Sequence, residues 1–196
     1  MNVCASSADT FKPFGAIFDW DGVVIDSSIQ HERSWEMLAE EVGKPLPTDH
    51  FKQSFGKRNA VIIPEILGWT NDMEVVDRLG RRKEELYREL VESDGLEALP
   101  GVRELLEELK MAGIPCVVGT STERENLRLA FDLLGLSEFF LGSTCSEDVS
   151  RGKPDPEVFL HAAGQTSLPP EKCVVLEDST HGIEAALAGN MKALGL

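Results

Sequence analysis

Long hydrophobic runs are missing from this chain, so a membrane-spanning helix is excluded; residues 1–13 also lack the charged and apolar regions of a signal peptide. That tail is expected to be disordered. Basic residues are scarce: 19 Lys and Arg stand against 34 Asp and Glu, a net charge of −15, which argues against nucleic acid and anionic membranes as partners. An anionic substrate then needs a local cationic pocket. Cysteine is scarce as well. Cys4, Cys116, Cys145 and Cys173 form no Cys-x-x-Cys pair, which argues against a zinc site or a secreted disulfide framework and points to reduced thiols in the cytoplasm or another reducing soluble compartment. Neither nucleotide-binding glycine loop occurs, neither Gly-x4-Gly-Lys-Ser/Thr nor Gly-x-Gly-x-x-Gly. Ser121 is flanked by Gly119 and Glu123, so the serine-hydrolase elbow is absent, and His31-Glu32 has no second histidine four positions on. There is no internal repeat or low-complexity segment.

What is present centres on Ala16-Ile17-Phe18-Asp19-Trp20-Asp21-Gly22-Val23-Val24. A short apolar run, read as a buried strand, ends in two carboxylates one residue apart, with a glycine directly after them. Strand alternation puts Asp19 and Asp21 on the face of Ile17, where unpaired charge is costly without water, a cation or a shared proton. Gly22 lets the chain turn at the strand end, where open α/β sheets bind ligands. A solvated Asp-x-Asp-Gly turn is the plainer alternative. A calcium loop fits poorly, because the sixth and twelfth positions counted from Asp19 are Val24 and Gln30.

With 196 residues and 42% hydrophobic content the chain can bury a sizeable core, for one domain or one and a half. The spacing predicts a helix over 27–42 ending at Gly43, a short helix running toward Phe55-Gly56, a tight Gly56-Lys57-Arg58-Asn59 corner, a helix over 61–67 despite Pro64, and a longer one over 71–93. From residue 99 the texture alternates: helix 102–111, strand 114–119, helix 125–134, strand 139–142, helix 156–163, strand 173–176, helix 180–188 and a last apolar piece, 191–196. With the first strand at 16–18, this predicts an α/β fold, a doubly wound, Rossmann-like parallel sheet (14–26 plus 98–196) interrupted by an α-helical cap (27–97).

Three strand ends carry polar groups: Asp19 and Asp21, then Thr120-Ser121-Thr122, then Glu177-Asp178-Ser179. In a parallel sheet they converge on one edge, and Lys153 in Gly152-Lys153-Pro154-Asp155-Pro156 can face the carboxylates. Carboxylates around a hard cation, hydroxyl and backbone donors and one ammonium suit phosphoryl transfer. Taken singly, each has a plainer role: Thr120 as a cap for the helix near Glu125, Lys153 as a solvated loop lysine, Glu177 and Asp178 as caps of the following helix.

In order along the chain, Asp19-Trp20-Asp21-Gly22-Val23-Val24, Thr120-Ser121, Lys153 in Gly-Lys-Pro-Asp-Pro and Glu177-Asp178-Ser179-x-x-Gly182 resemble the four motifs of the haloacid dehalogenase superfamily. The helical insertion and Asp26-Ser27-x-x-x-His31 look most like its β-phosphoglucomutase branch of small-molecule phosphatases and mutases. The resemblance covers residues 15–196. It implies Asp19 as nucleophile, giving an aspartyl-phosphate, and Asp21 as general acid and then base, pushed toward its protonated form by like-charge repulsion unless a metal offsets it. It also implies Mg²⁺ held by the Asp19 side chain, the Asp21 carbonyl and Asp178, with Glu177 as a further ligand or outer partner. Thr120, the Ser121 N–H and Lys153 would hold the phosphoryl group. In the cap, His31, Arg58, Asn59 and Lys83 resemble positions that meet substrate.

The expected activity is Mg²⁺-dependent hydrolysis of a small, sugar-phosphate-like metabolite. The alternatives are a sugar-phosphate mutase, set back by the short Arg58 corner, and a non-catalytic binding protein of the same fold. Dehalogenase chemistry is disfavoured, since that branch lacks the second aspartate. Relatives usually continue two or three dozen residues past the final strand, so residues 191–196 are expected to form a partly uncovered edge that invites association.

Overall fold

The computed structural model describes residues 14–54 and 56–196; the tail expected to be disordered, Cys4 and Phe55 lie outside the described residues. The chain opens with strand β1 (Gly15–Phe18) and leaves the sheet for helices α1 (Ser28–Val42), α2 (His50–Ser54), α3 (Asn59–Val61) and α4 (Met73–Asp94). It returns through α5 (Val102–Met111), β2 (Cys116–Gly119), α6 (Arg124–Leu134), β3 (Ser143–Thr144), α7 (Glu157–Gln165), β4 (Cys173–Glu177), α8 (Thr180–Ala188) and β5 (Lys192–Gly195). The strands form one parallel sheet in the order β3-β2-β1-β4-β5.

The apolar runs are nearly continuous because both faces are covered. Ala16, Phe18, Cys116 and Val118 pack with Val102 and Leu106 of α5 and Leu127 and Ala130 of α6. On the other face, Ile17, Val117 and Val175 pack with Val158, Phe159 and Ala162 of α7 and Ala185 and Ala186 of α8. Burying side chains of this size stabilises by about 1.5–3 kcal/mol each before the entropy of ordering them is counted. β5 forms an edge on which Leu194 is exposed, as is Leu196 just beyond it. Among the described residues, no helix is long and apolar enough to cross a membrane.

Helices α1 and α4 and the segment 62–69 between them close around a third cluster of Trp35, Leu38, Ile62, Ile63, Trp69, Val76 and Leu86. α1 stops where expected, on Gly43 with φ 62°. α4 starts at Asp72, whose carboxylate accepts from the N–H groups of Glu74 and Val75. The chain leaves and rejoins the sheet along adjacent paths: Ile25 bridges Ala98, and the Leu99 N–H donates to the Val24 carbonyl at 2.9 Å. The insertion therefore hangs directly over the carboxyl end of β1.

Two elements differ from expectation. Across 61–67, α3 gives way to a π-helical turn at Ile62–Ile66, with Leu67 N–H bonding to the Ile62 carbonyl at 2.9 Å. Pro64 brings no N–H of its own, and the wider turn accommodates it. The strand expected over 139–142 is a 3₁₀ turn at Ser137–Phe139 followed by pairing from Leu141 onward. Phe139 and Phe140 are apolar because they pack on the first cluster, where Phe140 meets Phe18 edge-on at 5.7 Å.

Candidate active site

β1 ends at Phe18, and the Asp19 N–H donates to the Leu176 carbonyl at 3.0 Å, so the first aspartate leaves the sheet beside the end of β4. Gly22 follows with φ 85°, and a Cβ there would lie 2.0 Å from Asp178 Oδ2. Glycine is needed twice over, for the turn and for the approach of the two loops. At Gly182 only the close approach needs glycine: a Cβ there would meet Glu177 Oε2 at 2.1 Å. At the end of β2, Thr120 is fully buried; its N–H donates to the Thr144 carbonyl, and its Oγ1 accepts from the Thr122 N–H at 3.1 Å.

Lys153 reaches into this junction. Its Nζ lies 2.8 Å from Asp19 Oδ1 and 2.7 Å from Glu177 Oε2, and 4.8 Å from the centre of the Phe159 ring. Burial works against its charge, but the two carboxylates outweigh it and raise the ammonium pKa. Asp19 is pushed up to about 7, chiefly by burial and further by Glu177 and Asp21, with Lys153 opposing. Glu177 is fully buried, and its Oε1 accepts from both the N–H and the hydroxyl of Ser179. Its carboxylate thus ties Lys153 to the loop that carries Asp178.

Asp19, Glu177 and Asp178 each offer an oxygen within 4.8 Å of the others. Burial, then the Glu177 charge, pushes Asp178 up to about 6. One ammonium among three carboxylates leaves excess negative charge in a confined space, and an all-oxygen donor set is the chemistry of a hard divalent cation such as Mg²⁺. Asp19 and Asp178 fit such an ion, with Glu177 beside them.

Asp21 behaves differently from the sequence expectation. Its Oδ1 accepts from the Ser27 hydroxyl and lies 3.6 Å from His31 Nε2, while its Oδ2 accepts from the Thr122 hydroxyl. Burial acts to raise its pKa, yet the contacts with His31, Ser27 and Thr122 prevail and hold it at about 2. These donors stabilise the charged form of Asp21, which adds a small share to the rise at Asp19 that burial chiefly sets.

The helical insertion roofs a cavity of about 480 Å³ lined by Asp19, Asp21, Thr120, Ser121, Lys153 and Asp178 below and by His31, Arg58, Asn59 and Glu84 above. Arg58 is already engaged: its guanidinium donates to the Ser146 carbonyl at 2.9 Å and reaches those of Val149 and Ser150. Asn59 Nδ2 donates to Glu84 Oε1 at 2.7 Å, and Asn126 Nδ2 of α6 donates to Glu84 Oε2 at 2.6 Å, joining roof to sheet domain. Lys83 does not reach the cavity. It is buried, with Nζ 2.6 Å from His31 Nδ1 and 3.0 Å from Glu84 Oε1. Burial works against the Glu84 charge, but Lys83 and the Asn59 amide keep its pKa below the usual range.

Sequence reasoning missed Ser27 and Thr122 as partners of Asp21, and Glu84, Glu123 and Asn126 at the roof seam. Ser27 was legible only as a helix cap, a role its side chain does not fill. The helical spacing of Glu84 and Asn126 carried no signal, since each reads as an ordinary solvent-facing residue.

The chain matches the haloacid dehalogenase-like hydrolase family over residues 15–190. It is 39% identical over 185 residues to the chloroplastic 5-amino-6-(5-phospho-D-ribitylamino)uracil phosphatase of Arabidopsis thaliana, covering 93% of this chain and 49% of that protein. It thus spans about half the length of that relative. It is 32% identical to a phosphorylated carbohydrates phosphatase of Thermotoga maritima, covering 91% of this chain and 82% of the relative. Among solved structures, β-phosphoglucomutase from Clostridium difficile superposes with a TM-score of 0.83 at 27% identity, over 94% of this chain and 84% of that one.

Proposed function

Since the chain belongs to the haloacid dehalogenase-like hydrolases, we propose that it is a Mg²⁺-dependent phosphatase that hydrolyses a small phosphorylated metabolite of the sugar- or alditol-phosphate kind through Asp19. The observation that carries this reading is the junction of Asp19, Asp178 and Lys153 at the floor of a cavity that Asp21 also lines. The names of the Arabidopsis and Thermotoga relatives support the substrate class.

Asp19 Oδ attacks phosphorus, the bond from phosphorus to the leaving oxygen breaks, and that oxygen takes a proton from Asp21. Water then attacks the phosphorus of the aspartyl-phosphate and gives its proton to Asp21, which frees Asp19 and inorganic phosphate. The hydrogen bonds that hold Asp21 ionised match the base half of this cycle; for the acid half it must take up a proton as those bonds loosen. Thr120 and the Ser121 N–H cradle the phosphoryl oxygens, and Lys153 offsets charge on them and on Asp19. Asp19, Asp178 and the Asp21 carbonyl would hold Mg²⁺, which when bound neutralises phosphoryl charge and favours the ionised Asp19. Glu177 we read as the residue that fixes Lys153 rather than as a ligand, because both its oxygens already accept hydrogen bonds.

Mutase activity needs a second phosphate site in the roof. Arg58 was the candidate, and its guanidinium is engaged with backbone carbonyls of the sheet domain. The test is a panel of sugar and alditol monophosphates with Mg²⁺, following free phosphate and isomerised ester together. Free phosphate as the main product supports hydrolysis; isomerised ester forming faster, with a bisphosphate primer required, overturns it.

A further inference from the structure

The wall of the cavity just beyond Asp21 is acidic. Glu123 directly follows Thr122, whose hydroxyl binds Asp21, and lines the cavity with Glu84 and Glu147. It stands at the N-terminus of α6, where a side chain can cap its own helix, yet the Glu123 carboxylate makes no capping bond. Among the described residues no hydrogen bond or ion pair reaches it, whereas both Glu84 oxygens accept hydrogen bonds and Glu147 accepts from the Arg124 N–H. The charges it faces are Glu84 and Glu147, opposed by Arg88 and Lys83; burial together with the two glutamates pushes it up to about 7.

The cations around the cavity are mostly committed elsewhere. Lys153 serves Asp19 and Glu177, Arg58 serves the carbonyls of the 146–150 loop, and His31 sits between Asp21 and Lys83. Arg81 stands exposed at the rim, its Nε donating to the Asp77 carbonyl. Asp77 lines the same rim. A second phosphate held near Asp21 would meet a carboxylate without an ion-pair partner before it met a free cation. A hydroxyl or N–H placed there would meet an acceptor without a partner.

Resting on the phosphatase reading above, we infer that Glu123 selects the leaving group: the site takes monophosphates whose organic part presents hydroxyl or N–H donors to Glu123, and turns away esters that carry a second phosphate. The departing oxygen takes its proton from Asp21, so the organic part lies on the Asp21 side of the phosphoryl group. That side is where Thr122 and Glu123 stand.

The experiment compares kcat/KM for sorbitol 6-phosphate and sorbitol 1,6-bisphosphate, which differ only in the second phosphate, in the wild-type protein, Glu123→Gln and Glu123→Lys with Mg²⁺. The wild-type protein should prefer the monophosphate by about 10-fold or more, a small part of what two like charges cost at close range. Glu123→Lys should lower that ratio about 10-fold or more, mainly through KM for the bisphosphate, and Glu123→Gln should fall between. Phosphate release with a ratio unchanged within about twofold in both variants, on that same Coulomb reckoning, overturns the inference alone. No phosphate release from either ester while another monophosphate of the panel is hydrolysed also overturns the inference alone; no release from any panel member overturns the phosphatase reading and the inference with it.

Discussion

Lys153 Nζ stands 2.8 Å from Asp19 Oδ1, both groups buried at the carboxyl end of the sheet. The pair works only as a pair. Removing the ammonium in Lys153→Met leaves Asp19 and Glu177 facing each other without their shared cation, which drives the Asp19 pKa above about 7 and so reduces the ionised nucleophile at neutral pH. Phosphate release should fall by about 10²-fold or more, and unfolding should become easier by about 3–5 kcal/mol. Denaturant titration beside the activity assay separates the two effects. A variant with undiminished turnover would remove Lys153 from the site.

Glu84 is the seam between roof and sheet domain. Its two oxygens serve Asn59, Lys83 and Asn126 at 2.7, 3.0 and 2.6 Å. Glu84→Ala leaves the buried Lys83 ammonium with His31 and the Trp35 and Tyr87 rings but no carboxylate, so stability should drop by about 3–5 kcal/mol in urea titration. Glu84→Gln should lose less. Equal stability of all three proteins would show that the seam holds nothing together.

Glu123 gives a pH signature without any substrate. Its folded pKa of about 7 lies above the ordinary 4.5, so the folded protein binds the extra proton between those values. Stability from this group is fully present below pH 4.5 and is lost as pH rises through 7. Between pH 5 and 8 in EDTA, the melting temperature of wild type should fall relative to Glu123→Gln. Parallel curves for the two proteins would mean that Glu123 is solvated like any surface carboxylate.

Asp178→Asn tests the metal. The loss of one oxygen charge should weaken Mg²⁺ activation by more than the ~10–100-fold typical of changes around ligands. Mg²⁺ should raise the melting temperature of the wild-type protein, and less so that of the variant. An equal rise in both would assign the ion elsewhere.

The sheet was legible in the sequence because burial on both faces makes each strand a short apolar run with a polar stop, as in Ile17 to Asp19 and Val175 to Asp178. That Asp19, Thr120 and Asp178 meet at one sheet edge was legible because they follow such stops, whereas Lys153 stood out only by its proline-flanked loop. Less visible was anything set by contacts between distant helices. Lys83 shares helix α4 with exposed charges, and only the fold turns it inward toward His31. The protonation of Asp21 was misjudged for the same reason: its donors, Ser27 and Thr122, lie 6 and 101 residues away. Aromatic packing misled at Phe139 and Phe140, where an apolar pair fills a core without forming a strand.

The most direct test of Asp19 as the phosphoryl carrier is the turnover of Asp19→Asn on a monophosphate that the wild-type protein hydrolyses with Mg²⁺, with circular dichroism to verify the fold. An amide cannot accept the phosphoryl group in place of the carboxylate. Phosphate release should disappear, and acid quenching during turnover should capture phosphate on the peptide containing Asp19 in the wild-type protein alone. A folded Asp19→Asn that retains a tenth or more of the wild-type rate, roughly 1.4 kcal/mol of barrier, would contradict Asp19 as the carrier.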